Sequence, residues 1–101
     1  MAFVCLLRIN LHFPEGSDLK GKRKEISSLK AQLRRRFGAS VAETDHHDHW
    51  QRSTLTAALV AREHGEVQDE AASLARFVES RHPDGSWVER ATLSSGEVLD
   101  P

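Results

Sequence analysis

The stretch Phe3–Phe13, FVCLLRINLHF, decides the fold because its apolar residues recur with a period of two. One face of this stretch is wholly apolar: Phe3, Cys5, Leu7, Ile9, Leu11 and Phe13. The opposite face mixes apolar and polar side chains: Val4, Leu6, Arg8, Asn10 and His12. The alternation predicts a first strand with one buried face and one open face.

The segments after this strand carry the signals of an α+β domain. Turn residues follow at 14–17, and Asp18 suits the N-cap of a helix whose apolar stripe ends at Gly38. Residues 39–45, 53–61 and 87–93 read as strands, and residues 66–82 as a second helix. The order βαββαβ predicts a ferredoxin-like fold, with a four-stranded antiparallel sheet and two helices on one face. We expect residues 1–93 to form this single domain and residues 94–101 a flexible C-terminal tail.

Charge is unevenly divided along the 101 residues. Residues 1–52 hold ten Lys and Arg against six Asp and Glu, whereas residues 53–101 hold four against nine, which gives +4 and −5 for a net charge of −1. This asymmetry favours one surface that faces a polyanion.

The single cysteine, Cys5, lies in the apolar strand and cannot form an intramolecular disulfide, which favours a reducing cytoplasm. The apolar opening is interrupted at Arg8 and Asn10, so neither a signal peptide nor a contact with membrane is expected. The chain carries no phosphate loop and no Ser or Cys nucleophile motif. No cofactor and no catalytic residue is therefore predicted.

Two groups of cations mark the first helix. Cations in a first helical turn oppose the helix dipole, an arrangement that makes sense where free N–H groups and side chains together bind a phosphate. The second group lies roughly 20–24 Å further along the helix, a spacing that suits two contacts on a polynucleotide backbone. The alternative is a solvated basic face. The predicted RNA- or phosphate-binding residues are Lys20, Lys22, Arg23, Lys24, Arg34, Arg35 and Arg36.

The stretch Ser40–Arg52, SVAETDHHDHWQR, includes a polar hairpin between the second and third strands. The ferredoxin-like topology places this hairpin beside His12 and the start of the first helix. Arg52 is within reach of Asp45 or Asp48, so ion pairs are expected to fix the hairpin's shape. Trp50 is interpreted as a hydrophobic plug rather than as a base-stacking group. The predicted hairpin surface comprises Asp45, His46, Asp48, Trp50, Gln51 and Arg52.

An alternative function follows from the histidines of the same hairpin. On an extended strand, Asp45, His47 and His49 would point to one side and could form a first shell for zinc or another divalent ion. The chain would then be a metal-binding protein or a metal-dependent enzyme. Catalysis by Glu43 or Asp45 with a histidine is a weaker version of the same idea.

The open face of the sheet suggests a third function. No aromatic is assigned to its outward positions near the hairpin, so base stacking on the sheet is not expected. At the opposite end, an apolar patch suggests a homodimer through the open face, unless the C-terminal tail covers it. The patch comprises Val4, Leu6, Ala58 and Val60.

Three motifs make the chain resemble the YlxP-like family of small bacterial proteins over residues 3–93. They are an LRI-x-L first strand at 7–11, a basic helix start at 18–23, and an F-x-x-SVAE-x-D-x-x-D-x-WQR segment at 37–52. Gly21, His47 and His49 depart from the family pattern. The resemblance implies a ferredoxin-like fold and a gene near translation factors and ribosome-binding factor A, without an established reaction. We therefore expect a non-enzymatic cytoplasmic protein that binds RNA or a ribosomal subunit through phosphate contacts.

Overall fold

The computed structural model describes all 101 residues and confirms the ferredoxin-like α+β fold. The elements are β1 (Phe3–His12), α1 (Leu19–Phe37), β2 (Ser40–Asp45), β3 (Arg52–Ala61), α2 (His64–Arg81), β4 (Ser86–Ser94) and α3 (Ser95–Leu99). The four strands form one antiparallel sheet in the order β2-β3-β1-β4. The predicted boundaries are close, although α2 begins two residues earlier than expected.

Local sequence signals explain where α1 begins and ends. The Asp18 side chain accepts a hydrogen bond from the Gly21 N–H at 2.6 Å, which satisfies a free donor of the first turn. Gly38 ends the helix in the left-handed region, at φ 64°, and its N–H donates to the Arg34 carbonyl. Both predicted caps are confirmed.

The core lies between one face of the sheet and the apolar stripes of α1 and α2. From the strands it contains Cys5, Leu7, Ile9 and Leu11 of β1 and Leu55, Ala57 and Leu59 of β3, and from the helices Ile26, Leu29 and Leu33 of α1 and four residues of α2. Phe3, which we predicted to face inward, is partly buried and packs against this core. Because both helices pack on this face, the other face of the sheet stays open. None of the helices combines the length and hydropathy needed to cross a membrane.

The C-terminal segment is more regular than the flexible tail that the sequence predicted. Ser94 and Glu97 form a capping box at the start of α3. The Ser95 N–H donates to the Ala2 carbonyl at 2.7 Å, and the Ser95 hydroxyl accepts from the Ala2 N–H at 2.9 Å. These bonds attach α3 to the start of the chain.

Candidate functional site

The side chain of Lys22 is buried at the centre of the hairpin between β2 and β3. Its ammonium donates to the carbonyls of His46 at 2.8 Å and His47 at 3.1 Å, and to that of His49. Burial lowers the pKa of Lys22, while nearby Glu43 favours its charged form. Because an ammonium has three N–H donors, none remains for a phosphate. Lys22, which we predicted to bind phosphate, instead fixes the course of the hairpin.

Glu43 is the buried counterion of this hairpin, with a side chain only 5% exposed. Regular strand alternation directs Glu43 inward, opposite Leu55. The β-bulge that follows Glu43 returns Asp45 to the outer face, opposite Thr54. The carboxylate accepts from Ser53 Oγ at 2.5 Å and Arg23 Nη1 at 3.2 Å, and lies 2.8 Å from His47 Nδ1. Burial by itself raises the pKa of Glu43. The bonds from Ser53 and His47 and the charges of Lys22 and Arg23 outweigh burial and hold this pKa below its usual value.

Arg23 connects α1 to the outside of the hairpin. Besides Glu43, it bonds to the His47 carbonyl and lies 3.7 Å from an oxygen of Asp48, whose side chain is 95% exposed. Arg52 forms no ion pair with Asp45 or Asp48. Our prediction that Arg52 pairs with one of these carboxylates was therefore wrong. Contacts from Arg23 hold the hairpin against α1, whereas no ion pair between Arg52 and a hairpin carboxylate closes it.

The structure does not bring the predicted metal ligands together. The strand ends at Asp45, and His46 adopts φ 59°, so the alternation assumed for Asp45, His47 and His49 is lost. No three His, Cys, Asp or Glu side chains of the chain are grouped as metal ligands. Ser53 is 1% exposed, and its hydroxyl donates to Glu43 rather than to a histidine. Ser53, Glu43 and His47 therefore do not form a nucleophilic triad.

Trp50 is 44% exposed, and the interpretation as a core plug was wrong. The hairpin is closed by backbone and Lys22 contacts, including a bond from the Phe13 N–H to the Gln51 carbonyl at 2.7 Å. His12 pairs with Arg52 in register. The expected convergence of the strand end, the helix start and the hairpin is thus confirmed for Lys22, Arg23 and His12.

A basic surface runs along the solvent side of α1. At 3.6 residues per turn, six cations occupy an arc of about 140° that contains no acidic residue of the helix. The cations of this arc, hereafter the α1 basic face, are Lys20, Arg23, Lys24, Lys30, Arg34 and Arg35. Between α1 and the β2 edge lies a groove of about 570 Å³, into which Arg23, Lys30 and Arg34 extend.

Arg36 does not belong to the α1 basic face, although we grouped it with Arg34 and Arg35. Its guanidinium lies 4.4 Å from the ring centre of Phe77 on α2. It also lines a groove with three acidic residues of α2, Glu66, Asp69 and Glu70. Arg36 therefore packs between the helices beside negative charge, an environment that disfavours a phosphate.

Two residues of this end of the molecule were missed by the sequence analysis. Lys30 stands alone in the sequence, but the helical period places it between Arg23 and Arg34. Trp87 of β4 lies opposite Asn10 on the open face and is 65% exposed. The open face therefore does carry an aromatic residue, contrary to our expectation.

The other end of the open face is apolar, as predicted. Leu6 is 43% exposed, Val60 71% and Leu93 37%, so α3 leaves these side chains accessible. The homodimer through this patch stays a prediction.

The strand order and the two helices on one face of the sheet place the chain among ferredoxin-like α+β proteins. The chain belongs to the family described as "Protein of unknown function (DUF503)", whose model matches residues 4–90. The finer YlxP-like name rests on the motifs alone. A search of curated proteins found no significant match.

Two solved structures resemble the fold. The de novo designed protein Foldit4 is 12% identical, with a TM-score of 0.62 over 94% of this chain and 99% of Foldit4. A mutant of SnoaB, a cofactor-independent oxygenase from Streptomyces nogalater, is 13% identical, with a TM-score of 0.54 over 93% of this chain and 92% of that one. At these identities the likeness concerns the fold alone.

Proposed function

We propose that the chain is a non-enzymatic cytoplasmic protein that binds RNA, including RNA of a ribosomal subunit, through phosphate contacts along α1. The observation that carries the proposal is the α1 basic face, where six cations share one side of a helix without an acidic neighbour on that arc. Such a stripe suits a polyanion better than a small ligand, because it extends over four helical turns.

The contacts of the individual cations support this proposal. Lys22 and Arg23 bind the hairpin, and Arg34 donates to the Val41 carbonyl at 2.8 Å, so part of the basic sequence is structural. No protein hydrogen bond or ion pair occupies the charged groups of Lys20, Lys24, Lys30 or Arg35. These four cations are therefore the main proposed phosphate ligands, with Arg34 beside them.

A salt titration tests the proposal. If about four cations contact phosphates, the logarithm of the affinity for a single-stranded RNA oligomer falls with the logarithm of salt concentration at a slope near −3. Fluorescence anisotropy of a labelled oligomer measures this slope. No binding at low salt, or binding insensitive to salt, would contradict the proposal.

Sedimentation of a native lysate tests the ribosomal part separately. We expect the protein to migrate with ribosomal particles at low salt and to leave them as salt rises. Migration only at the top of the gradient at low salt, together with binding to purified RNA, would retain RNA and exclude the ribosome as the partner.

A further inference from the structure

Trp87 is the largest exposed side chain on the open face of the sheet. It lies directly opposite Asn10, whose amide donates to the Trp87 carbonyl at 3.2 Å. Its 65% exposure leaves much of the indole free of protein contact. A flat, solvated indole on a rigid strand is a surface on which an aromatic ring can stack.

A groove of about 460 Å³, lined by polar residues only, crosses the open face and includes Asn10, the register partner of Trp87. Its walls include Asn10, His46, Thr54 and Thr56, with the exposed carboxylate of Asp45 at the hairpin end. The charge of Arg8 in this groove is paired with Glu89 at 2.7 Å, so the groove does not present the isolated positive charge that a phosphate requires. Its chemistry fits the hydrogen-bonding edge of a neutral, planar molecule.

Hydrogen bonds hold the groove residues in place before any ligand enters. Asn10 donates to Glu89 at 3.2 Å and accepts from Thr54 at 3.4 Å, while His46 Nδ1 lies 3.2 Å from the Thr54 hydroxyl. The outer nitrogen of His46, Nε2, has no protein partner and remains available to a ligand. The network extends from the hairpin across β3 and β1 to β4.

The two grooves on either side of the sheet are lined by neighbouring residues of the hairpin that follows β2. His46 lines the polar groove on the open face, and its neighbour His47 lines the groove beside α1. β2 is the edge of the sheet, so a chain that passes around the hairpin meets both grooves in succession. The phosphates of such a strand would then contact the α1 side of the sheet, and a base would reach the open face.

We infer that the open face beside Trp87 binds one unpaired nucleobase, which stacks on the indole and bonds to the polar groove. The inference rests on the proposed function, since it places the base of an RNA strand whose phosphates contact the α1 basic face. It adds recognition of a base to contacts that carry no sequence information.

Fluorescence of a single tryptophan tests the inference without altering the site. The chain has two tryptophans, so Trp50→Phe leaves Trp87 as the only one. We expect a short single-stranded RNA to quench Trp87 emission and an abasic oligomer of equal length and charge to leave it unchanged. Trp87→Ala should weaken binding of the normal oligomer on the order of tenfold and leave abasic binding unaltered. Leu93→Ala, at an exposed position further along the outer face of β4, is the matched control.

The outcomes separate this inference from the proposed function. Equal affinity for the two oligomers with unchanged Trp87 emission would overturn the base site and retain the phosphate contacts. Binding of neither oligomer would overturn both. A protein-concentration-dependent change in Trp87 emission without RNA, with dimers in sedimentation velocity, would assign the face to self-association and overturn the base site. If Trp87→Ala fails to fold, the presence or absence of Trp87 quenching in the Trp50→Phe protein still decides whether a base stacks on Trp87.

Discussion

Lys22 and Glu43 form an ion pair with an N–O distance of 3.9 Å whose side chains are 0% and 5% exposed. An ion pair this deeply buried is stable only when hydrogen bonds satisfy the remaining donors and acceptors. Here the ammonium binds carbonyls of the hairpin, and the carboxylate binds Ser53 and Arg23. The pair therefore fixes the hairpin to α1 and sets the position of both grooves.

Replacing Lys22 by Met should strongly destabilise the fold. The change leaves hairpin carbonyls without a donor and removes one counterion of Glu43, so we expect a loss of about 3–5 kcal/mol in the free energy of unfolding. Lys24→Met is the matched control, because Lys24 is exposed on the same helix and should change stability by no more than about 0.5 kcal/mol. Urea denaturation measures both. Equal effects of the two variants would show that Lys22 has no special structural role.

The stability of the protein should fall in acid partly through Glu43. The pKa of its carboxyl is lowered in the fold from an ordinary value of 4.5, so the unfolded chain takes up a proton first as the pH decreases. The contribution of Glu43 is fully present above about pH 4.5 and is lost as the pH falls through the lower, folded value. Glu43→Gln should therefore flatten the loss of stability below pH 4.5. An unchanged pH profile in this variant would contradict the assignment.

Trp50 should matter little for stability. Because its side chain is 44% exposed, Trp50→Ala should cost well below the 3–5 kcal/mol typical of truncating a buried tryptophan. Leu55→Ala, at a fully buried position of β3, provides the contrast and should cost about 2–5 kcal/mol. Thermal or urea melts compare the two. A loss for Trp50→Ala as large as that for Leu55→Ala would restore the interpretation as a plug.

The regular elements could be predicted from the sequence because their signals are local. Alternation in β1, the Asp18 cap and the Gly38 end all depend on residues adjacent in the chain. The role of Lys22 could not be predicted in this way, since its partners are carbonyls 24–27 residues away. The directions of the Asp45, His47 and His49 side chains could not be predicted either, because the bulge after Glu43 and the turn at His46 interrupt the strand period.

Trp87 illustrates a different difficulty. The inner face of β4 carries Ser86, Arg90 and Thr92, so alternation gives no clear inward side for this edge strand. Its outer face is known only from the pairing of Trp87 with Asn10. The position of Lys30, in contrast, could have been predicted from the sequence, because the helical period alone assigns it to the α1 basic face.

The most direct test of the central claim compares two triple variants with the same change in net charge. Lys24→Gln, Lys30→Gln and Arg35→Gln together remove half of the α1 basic face. Arg62→Gln, Arg76→Gln and Arg90→Gln together remove three cations elsewhere on the surface. RNA affinity is measured by anisotropy across a salt series. We predict that the first variant weakens binding at low salt at least tenfold and makes the salt slope shallower by about 2, while the second stays within about twofold of the parent at equal salt. Equal weakening by the two variants would show that overall charge, rather than the α1 basic face, determines RNA binding, and would contradict the account.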